Sequence, residues 1–495
     1  MNEVELTFMI SYKAATRQEG TFEVPSGCGR LCLKHDLPEK YTLLTFLLVK
    51  DPQRRVRFLK QLGYSESTIL IGQESVGTTI GGVPGEIPAG RWSVSVFLFA
   101  EYLKFLEGMP DILFHVSVSD RWESINEVIG GRIWAEPGLV YSRYDFSEIY
   151  RKGAAWYKGD LHTHTRLSDG KETPQAASGK ANLMDLDYYV PTEHNTLHSG
   201  WPLCRTMIVP GVEITTMLGH ANLFGIDRMP GTLERFLTDK EEELLRADWR
   251  ELLKECAERS WLFSVNHPFL HIWKWLLAEL PLAAVDCLEI VNDPTYEADA
   301  QADARTANEK AILLSDLLWE DGWRICAIGG SDSHNRIDER YGDAAEPSIA
   351  GDPATWLYME NLSPANLLDA LRCCRAYVTR HCGIESSVHF GEQLPEGKRN
   401  FPYRIVLKGP QEQPDIFFLH NGRFQSCPVI RTEDGSWLTE GEAELSEEGY
   451  HWLRFGAREQ SGAFLFYGNP VTRGRKEHRF STFGEIAEEL ERQWK

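Results

Sequence analysis

The sequence is short of positive charge, of long apolar runs and of any familiar nucleophile motif. Lysine and arginine number 52 against 73 aspartates and glutamates, a formal net charge of −21. An acidic surface repels a phosphate backbone, so extended nucleic acid is an unfavourable partner. A small phosphorylated substrate remains compatible, because bound cations invert a local field. The most apolar stretch, Tyr41 to Val49, is too short to span a bilayer, so no membrane partner is expected. The opening MNEVELTFMISYK has neither a basic n-region nor a long apolar h-region and does not read as a signal peptide. Ten cysteines in 495 residues do not make a disulfide scaffold. Cys28 and Cys32 have no second pair at zinc-binding spacing; they, Cys373 and Cys374 read as buried free thiols. This cysteine usage points to a reducing, cytoplasmic location. No G-x-S-x-G segment occurs, so nothing marks a serine nucleophile.

What is present is organised in three stretches, within the roughly two to four domains that this length suggests. Residues 1–150 carry short apolar or alternating runs, FEVPSG, TLLTFLLV and STILIG, with the turn cluster GGVPGEIPAG. They read as a β-rich, sandwich-like domain, a scaffold or lid in the plainer reading and a binding element in the sharper one. Residues 151–380 alternate strand, motif and helix. Thr173-Pro174 and Ser363-Pro364 open two of the helices. Residues 381–495 return to strand-like runs, RIVLKG, DIFFLHNG, HWLRFGA and AFLFYG, with a hairpin turn at Asn421-Gly422. A charged helical tail from Phe480 to Lys495 reads as a solvated face.

The central stretch is built around residues 159–170, GDLHTHTRLSDG. On an extended segment, residues two apart point the same way, so His162 and His164 face one point. The Ser-Asp-Gly turn that follows can return Asp169 to it. More histidines and acids fall at the ends or edges of expected strands: His194 in TEHN, Glu213 in PGVEITT, His220 in GHANLFG, His267 in NHP, and Asp332 and His334 in GGSDSH. Of the 15 histidines, eight lie between 162 and 334, and six of those sit at strand edges. Scattered core or surface histidines explain that set poorly. Strand–helix alternation argues for a parallel sheet, open or closed into a barrel, with its site at the strand ends.

Taken together, DLHTHT, SDG, TEHN, PGVEITT, GHANLFG, NHP and GGSDSH resemble the polymerase and histidinol phosphatase (PHP) superfamily of metallohydrolases over residues 155–380. Its carbaryl hydrolase-like (CehA/McbA) branch, which places a β-rich region before the metal domain, is the most similar. The resemblance implies an α/β fold with a distorted (β/α)7 barrel, flanked here by β-rich domains, and two to three divalent ions drawn from manganese, iron and zinc. It implies that His162, His164 and Asp332 hold a first ion, that Glu213 bridges it to a second completed by His220 and His267, and that Asp169, His194 and His334 hold a third. Glu213, Asp332 and His334 are then the residues expected to carry catalysis. Glu193 departs from the branch, which more often has Asp before that His, and is expected behind the ligands.

Two close metal ions activate a bridging water and neutralise charge on substrate oxygens. The leading expectation is hydroxide attack on a small phosphoester; the alternative is a carboxylic ester or carbamate hydrolase with the same centre. Arg166 is the expected phosphate contact, His198 a proton donor, and Asn195 an orienting group for ligand or substrate. The run His271-Ile-Trp-Lys-Trp reads as helix packing rather than a pocket mouth. A catalytically inactive binding scaffold and a proofreading exonuclease are the competing classes. Retention of all nine ligand positions opposes the first, and the net charge opposes the second.

Overall fold

Period-two burial shapes the N-terminal strands. In Ile112–Ser119, Phe114, Val116 and Val118 are buried while Leu113 is 62% exposed. The computed structural model describes the chain apart from residues 13–16, 100–102, 104–105, 239–240, 299–303, 343, 446–447 and 495. Its N-terminal part has two four-stranded antiparallel sheets. One runs in the order Val4–Ile10, Ile112–Ser119, Leu31–His35, Thr68–Ile71; the other in the order Arg17–Val24, Gly90–Leu98, Thr45–Lys50, Val56–Gln61. Phe8, Phe22, Leu33, Val49, Trp92 and Phe114 fill a shared core.

The second sheet is covered on its other face as well. Phe46, Leu48, Val56 and Leu59 join one cluster with Leu197, Trp201 and Ile214 of the central stretch. That explains why Phe46 to Val49 are apolar at every position rather than at alternate ones: a strand buried on both faces has no polar side to offer.

The central stretch supplies strands β1 (Arg151–Asp160), β2 (Tyr188–Tyr189), β3 (Met207–Ile208), β4 (Gly211–Thr216), β5 (Gly219–Phe224), β6 (Leu262–Val265), β7 (Cys287–Asn292), β8 (Cys326–Gly330), β9 (Ala354–Leu362) and β10 (Ala376–Thr379). Helices α1 (Pro174–Leu183), α2 (Glu242–Arg259), α3 (Ala304–Glu320) and α4 (Pro364–Arg372) lie between them. Thr173 caps α1 and Ser363 caps α4 through their side chains, each followed by the expected proline.

The expected (β/α)7 barrel is not shown: among the described residues no sheet closes on itself. β3–β2–β1–β9–β10 are part of one large sheet, and β4–β5–β6–β7–β8 make another. Two local features break the parallel repeat. β4 and β5 form a tight antiparallel hairpin with no intervening helix, and β1 spends its second edge on antiparallel pairing with β9. Pro210 separates β3 from β4, so Glu213 sits within β4 rather than at the end of one long strand. The isolated parallel bridges Thr163↔Ser333 and His194↔Glu213 link the two sheets, and Thr355 of β9 exchanges hydrogen bonds with Gly329 of β8.

The large sheet continues past β10 into Phe464–Gly468, His451–Arg458, Asp415–His420 and Arg423–Ser426. Asn421 and Gly422 both adopt positive φ (47° and 75°), the conformation a two-residue hairpin turn requires. The C-terminal helix Phe483–Gln493 begins with a capping box at Thr482 and Glu485, and it buries Phe483, Ile486 and Leu490. It is thus amphipathic rather than wholly solvated; Lys495 lies outside the described residues. Cys28, Cys32 and Cys374 are buried free thiols, but Cys373 is exposed, because the end of α4 turns it outward. Among the described residues no helix is long and apolar enough to cross a membrane.

A buried ion chain lies at the seam between the N-terminal sheets and the central stretch. Lys60 Nζ is 3.3 Å from Glu127 Oε2, and Arg166 Nη1 is 2.7 Å from Glu127 Oε1. Burial lowers the Lys60 pKa; at Glu127 burial acts upward but is outweighed by Lys60 and Arg166, so its carboxyl is held low. Removing one partner strands a buried charge. Glu127→Ala should lower the unfolding free energy by about 3 kcal/mol, and adding Lys60→Met should recover most of the loss. Urea denaturation of the three proteins measures this; a single variant as stable as wild type would show that the chain contributes nothing.

Candidate metal centre

The nine side chains singled out by motif converge where the two central sheets meet. Their positions follow from local backbone. His162 and His164 leave β1 on the same side, and Thr163 between them turns away to donate to the Val190 carbonyl. The Thr165–Gly170 turn, closed by the Gly170 N–H on the Thr165 carbonyl, brings Asp169 back. Glu213 lies in β4, His220 begins β5, His267 follows β6, and Asp332 and His334 follow β8. Asn195, His267 and Asp332 are non-glycine residues at positive φ (47°, 25° and 48°), a clustering of backbone strain typical of functional sites.

Glu213 is the hub. Its Oε1 lies 3.2 Å from His162 Nε2, 3.3 Å from His220 Nδ1 and 3.5 Å from His267 Nε2. Its Oε2 lies 2.7 Å from His194 Nδ1 and 3.6 Å from His164 Nε2. Asp332 Oδ1 is 3.3 Å from His162 Nε2 and 3.0 Å from His164 Nε2. Asp169 Oδ1 is 3.5 Å from His194 Nε2 and 3.2 Å from His334 Nε2.

These contacts group the donors as His162–His164–Asp332, as His164–Asp169–His194–His334, and as two sets sharing Glu213, one with His162 and His267 and one with His194 and His220. His220 Nδ1 and His267 Nε2 both face the same oxygen of Glu213, Oε1. His162 Nε2, His164 Nε2 and Asp332 Oδ1 are buried and face one another, with no well-directed hydrogen bond to any other group among the described residues. Leaving such groups unmet costs about 1–3 kcal/mol each. Imidazole and carboxylate donors aimed at common points fit divalent cations of the zinc, iron and manganese type.

The electrostatics of the metal-free cluster fit the same role. Burial pushes the Glu213 carboxyl up, but His162, His220 and His194 outweigh it and hold it well below the usual range. Asp332 and Asp169 are lowered in the same way, against burial, by their histidine neighbours. Burial, with the charges of His334 and His194, drives His164 down to about 4. At His334 burial is outweighed by Asp169 and Asp332, which raise it to about 9. Neighbouring imidazoles are thus split between neutral and protonated states, and the carboxylates are kept ionised.

Behind the ligands sits a residue that the motif reading missed. Glu289, buried in β7, places Oε1 2.9 Å from His162 Nδ1 and accepts from the His267 N–H at 2.8 Å and from Asn292 Nδ2 at 3.1 Å. It fixes His162 with Nε2 toward Glu213. The available sign was an acid inside the otherwise apolar CLEIV. Gly330 makes this possible: a Cβ there would lie 2.4 Å from both Glu289 Oε1 and His162 Cβ.

The three residues expected to touch substrate are placed elsewhere. Arg166 donates to Glu127 and to the Lys171 carbonyl, because its loop packs against the N-terminal sheets. His198 is buried with Nε2 2.7 Å from Glu193 Oε1. Asn195 exchanges two hydrogen bonds with the backbone of Thr215 and so fixes β4 beside His194. Glu193 accepts from the Thr165 and Ser168 N–H groups and from the Ser168 hydroxyl, tying down the motif loop from behind. Burial raises it, but His198 and the loop donors bring it to about 2, so it stays charged.

The ligands open onto a cavity of about 200 Å³. Its mouth carries Leu270, Trp273, Tyr296 and Tyr341, and its wall includes Asn292 and Asp293. Within the HIWKW run, Trp273 therefore lines the mouth, while Trp275 packs inward against Trp249 and Phe263. Burial raises Asp293 to about 7 despite hydrogen bonds from Thr295 and Ser348.

No protein-family model matches the chain, and no curated protein matches it. Solved structures are similar at low scores. One is a two-domain protein from Bacteroides vulgatus containing a predicted PHP-like metal-dependent phosphoesterase, at 15% identity and a TM-score of 0.35, covering 67% of this chain and 99% of that one. Another is an amidohydrolase from Chromobacterium violaceum with bound sulfate and no metal, at 14% identity and a TM-score of 0.24, covering 38% of this chain and 93% of that one. Likeness at these scores establishes neither family nor activity, so function must be read from the side chains.

His334 gives the metal-free protein a pH signature. Its pKa is raised from 6.5 to about 9, so its contribution to stability is present below pH ~6.5 and lost as pH rises through about 9. Metal binding needs the neutral ring and should strengthen over that window. Between pH 6.5 and 9, chelator-treated wild type should lose up to ~3 kcal/mol more stability than His334→Ala, read from thermal melts. Equal losses in the two proteins would contradict the raised value.

Proposed function

We propose that the chain is a metal-dependent hydrolase that acts on a small phosphoester. The observation that carries this is the Glu213 carboxylate, whose Oε1 faces His162, His220 and His267 and whose Oε2 faces His194 and His164 inside one buried cluster. That placement suits a bridge between two cations, with Asp169 and Asp332 anchoring the flanks. Two to three divalent ions of the manganese, iron or zinc type, when bound, supply Lewis acidity and activate water. The chain's own groups do the rest. Glu289 and Glu193 hold the ligands and their loop rigid, and the mouth aromatics restrict water. Asp293, raised to about 7, can hold a proton near neutral pH, the property a donor to a leaving group needs.

Charge favours phosphate. Three divalent cations would carry about six positive charges, against the carboxylates of Asp169, Glu213 and Asp332. One observation favours the second reading, a carboxylic ester or carbamate hydrolase: among the described residues no lysine or arginine lines the cavity, and its mouth is aromatic. On one metal-loaded sample, kcat/KM for 4-nitrophenyl phosphate should exceed that for 4-nitrophenyl acetate. Acetate or an aryl carbamate favoured by about tenfold would replace the first reading by the second. Glu213→Gln, which keeps the size but removes the shared charge, should abolish turnover of either while the protein remains folded by circular dichroism. Near-normal activity in that variant would mean that Glu213 is no bridge.

A further inference from the structure

A wider cavity, of about 520 Å³, shares no lining residue with the metal centre. Strand register builds its wall. β1 and β9 pair antiparallel with Trp156 directly opposite Tyr358, so the two rings stand on one face of the sheet, 5.5 Å apart between centroids. Their strand neighbours Tyr157, Leu357 and Met359 point the other way, into a core. Phe390 closes on Trp156 at 5.7 Å, and His389 stands edge-on to Tyr358 at 6.1 Å. Trp156 and Tyr358 are half-buried and His389 is exposed, so this aromatic wall is open to a ligand.

Positive charge gathers at the same cavity, in a chain whose net charge is −21. Arg324, Arg372 and Arg375 line it, and the one carboxylate among its lining residues is that of Glu392. Each guanidinium is pinned from one side. Arg324 donates to the Thr472 hydroxyl and to the Gly391 carbonyl, both at 2.7 Å. Arg372 donates to the Ser260 carbonyl at 2.7 Å, and Arg375 pairs with Asp369. Arg375 Nε is buried with no hydrogen-bond partner among the described residues. A guanidinium has five N–H donors, so these bonds orient the groups without exhausting them. Guanidinium forks match phosphate oxygens, and open aromatic faces stack a flat ring. The volume lies in the range of roughly 300–1,000 Å³ that small-molecule sites enclose.

We propose that this cavity binds a phosphorylated aromatic ligand of mononucleotide size, with its ring against Trp156 and Tyr358 and its phosphate among the three arginines. The site is separate from the metal centre and stands whether or not the hydrolase reading does. The test uses full-length protein freed of metal by a chelator, so that no probe is turned over. Calorimetry should show adenosine 5′-monophosphate binding, with adenosine and ribose 5-phosphate each weaker by about tenfold or more, because each lacks one half of the recognition. Arg372→Glu, which reverses an exposed charge, and Tyr358→Leu, which removes a ring but keeps the bulk, should each weaken the nucleotide by a similar factor. Cys373 locates the ligand: it lines the cavity and is exposed, whereas the other nine cysteines are buried or half-buried. Bound nucleotide should slow its alkylation by iodoacetamide about fivefold or more at saturation, read by peptide mass spectrometry. No binding of the nucleotide, binding that leaves Cys373 unprotected, or adenosine or ribose 5-phosphate binding as tightly would each overturn the proposal.

Discussion

A carboxylate buried among five imidazoles is the constraint on which the rest of this structure depends. Glu213 has no exposure to solvent, and both of its oxygens are turned to histidine nitrogens. Burying an ionised carboxylate alone is prohibitive; here the compensation is local positive charge, supplied by protonated histidines in the metal-free chain and by cations when they are bound. Holding five titratable rings 2.7 to 3.6 Å from one carboxylate requires walls that do not yield. The β4–β5 hairpin, the strand ends of β1, β6 and β8, and the Glu289 and Glu193 brackets supply them.

The same demand explains why the N-terminal sheets cannot be a detachable appendage. The motif loop that presents His164 and Asp169 takes a backbone hydrogen bond from Gln61, and the Thr196 hydroxyl beside the His194 segment donates to the Leu59 carbonyl. The Lys60–Glu127–Arg166 chain closes the same seam. Arg166 is thus consumed in holding the loop, which is why a guanidinium beside the His-x-His motif does not reach the cavity.

Much of the centre was legible in the sequence, because spacing and geometry coincide there. His162 and His164 leave a strand two residues apart, Asp169 follows a turn, and Asp332 and His334 repeat the pattern at another strand end. The helix starts at Thr173 and Ser363 were legible for the same reason: caps are local. What was not legible is non-local. Strand–helix alternation left an open sheet and a closed barrel both available, because pairing partners decide closure, and β1 pairs with β9 across about two hundred residues of chain. Glu289 hides in an apolar strand with nothing beside it to mark it. Whether His198 and Asn195 face substrate or structure depends on Glu193 and Thr215, which only the fold brings to them.

The central claim is that this buried cluster is a metal centre. The most direct measurement is the metal content of purified protein after loading with manganese, iron or zinc and removal of free ion. The cluster predicts two to three equivalents per chain, with occupancy falling at acid pH as the histidines protonate. Less than one equivalent of any of the three metals at neutral pH would contradict it.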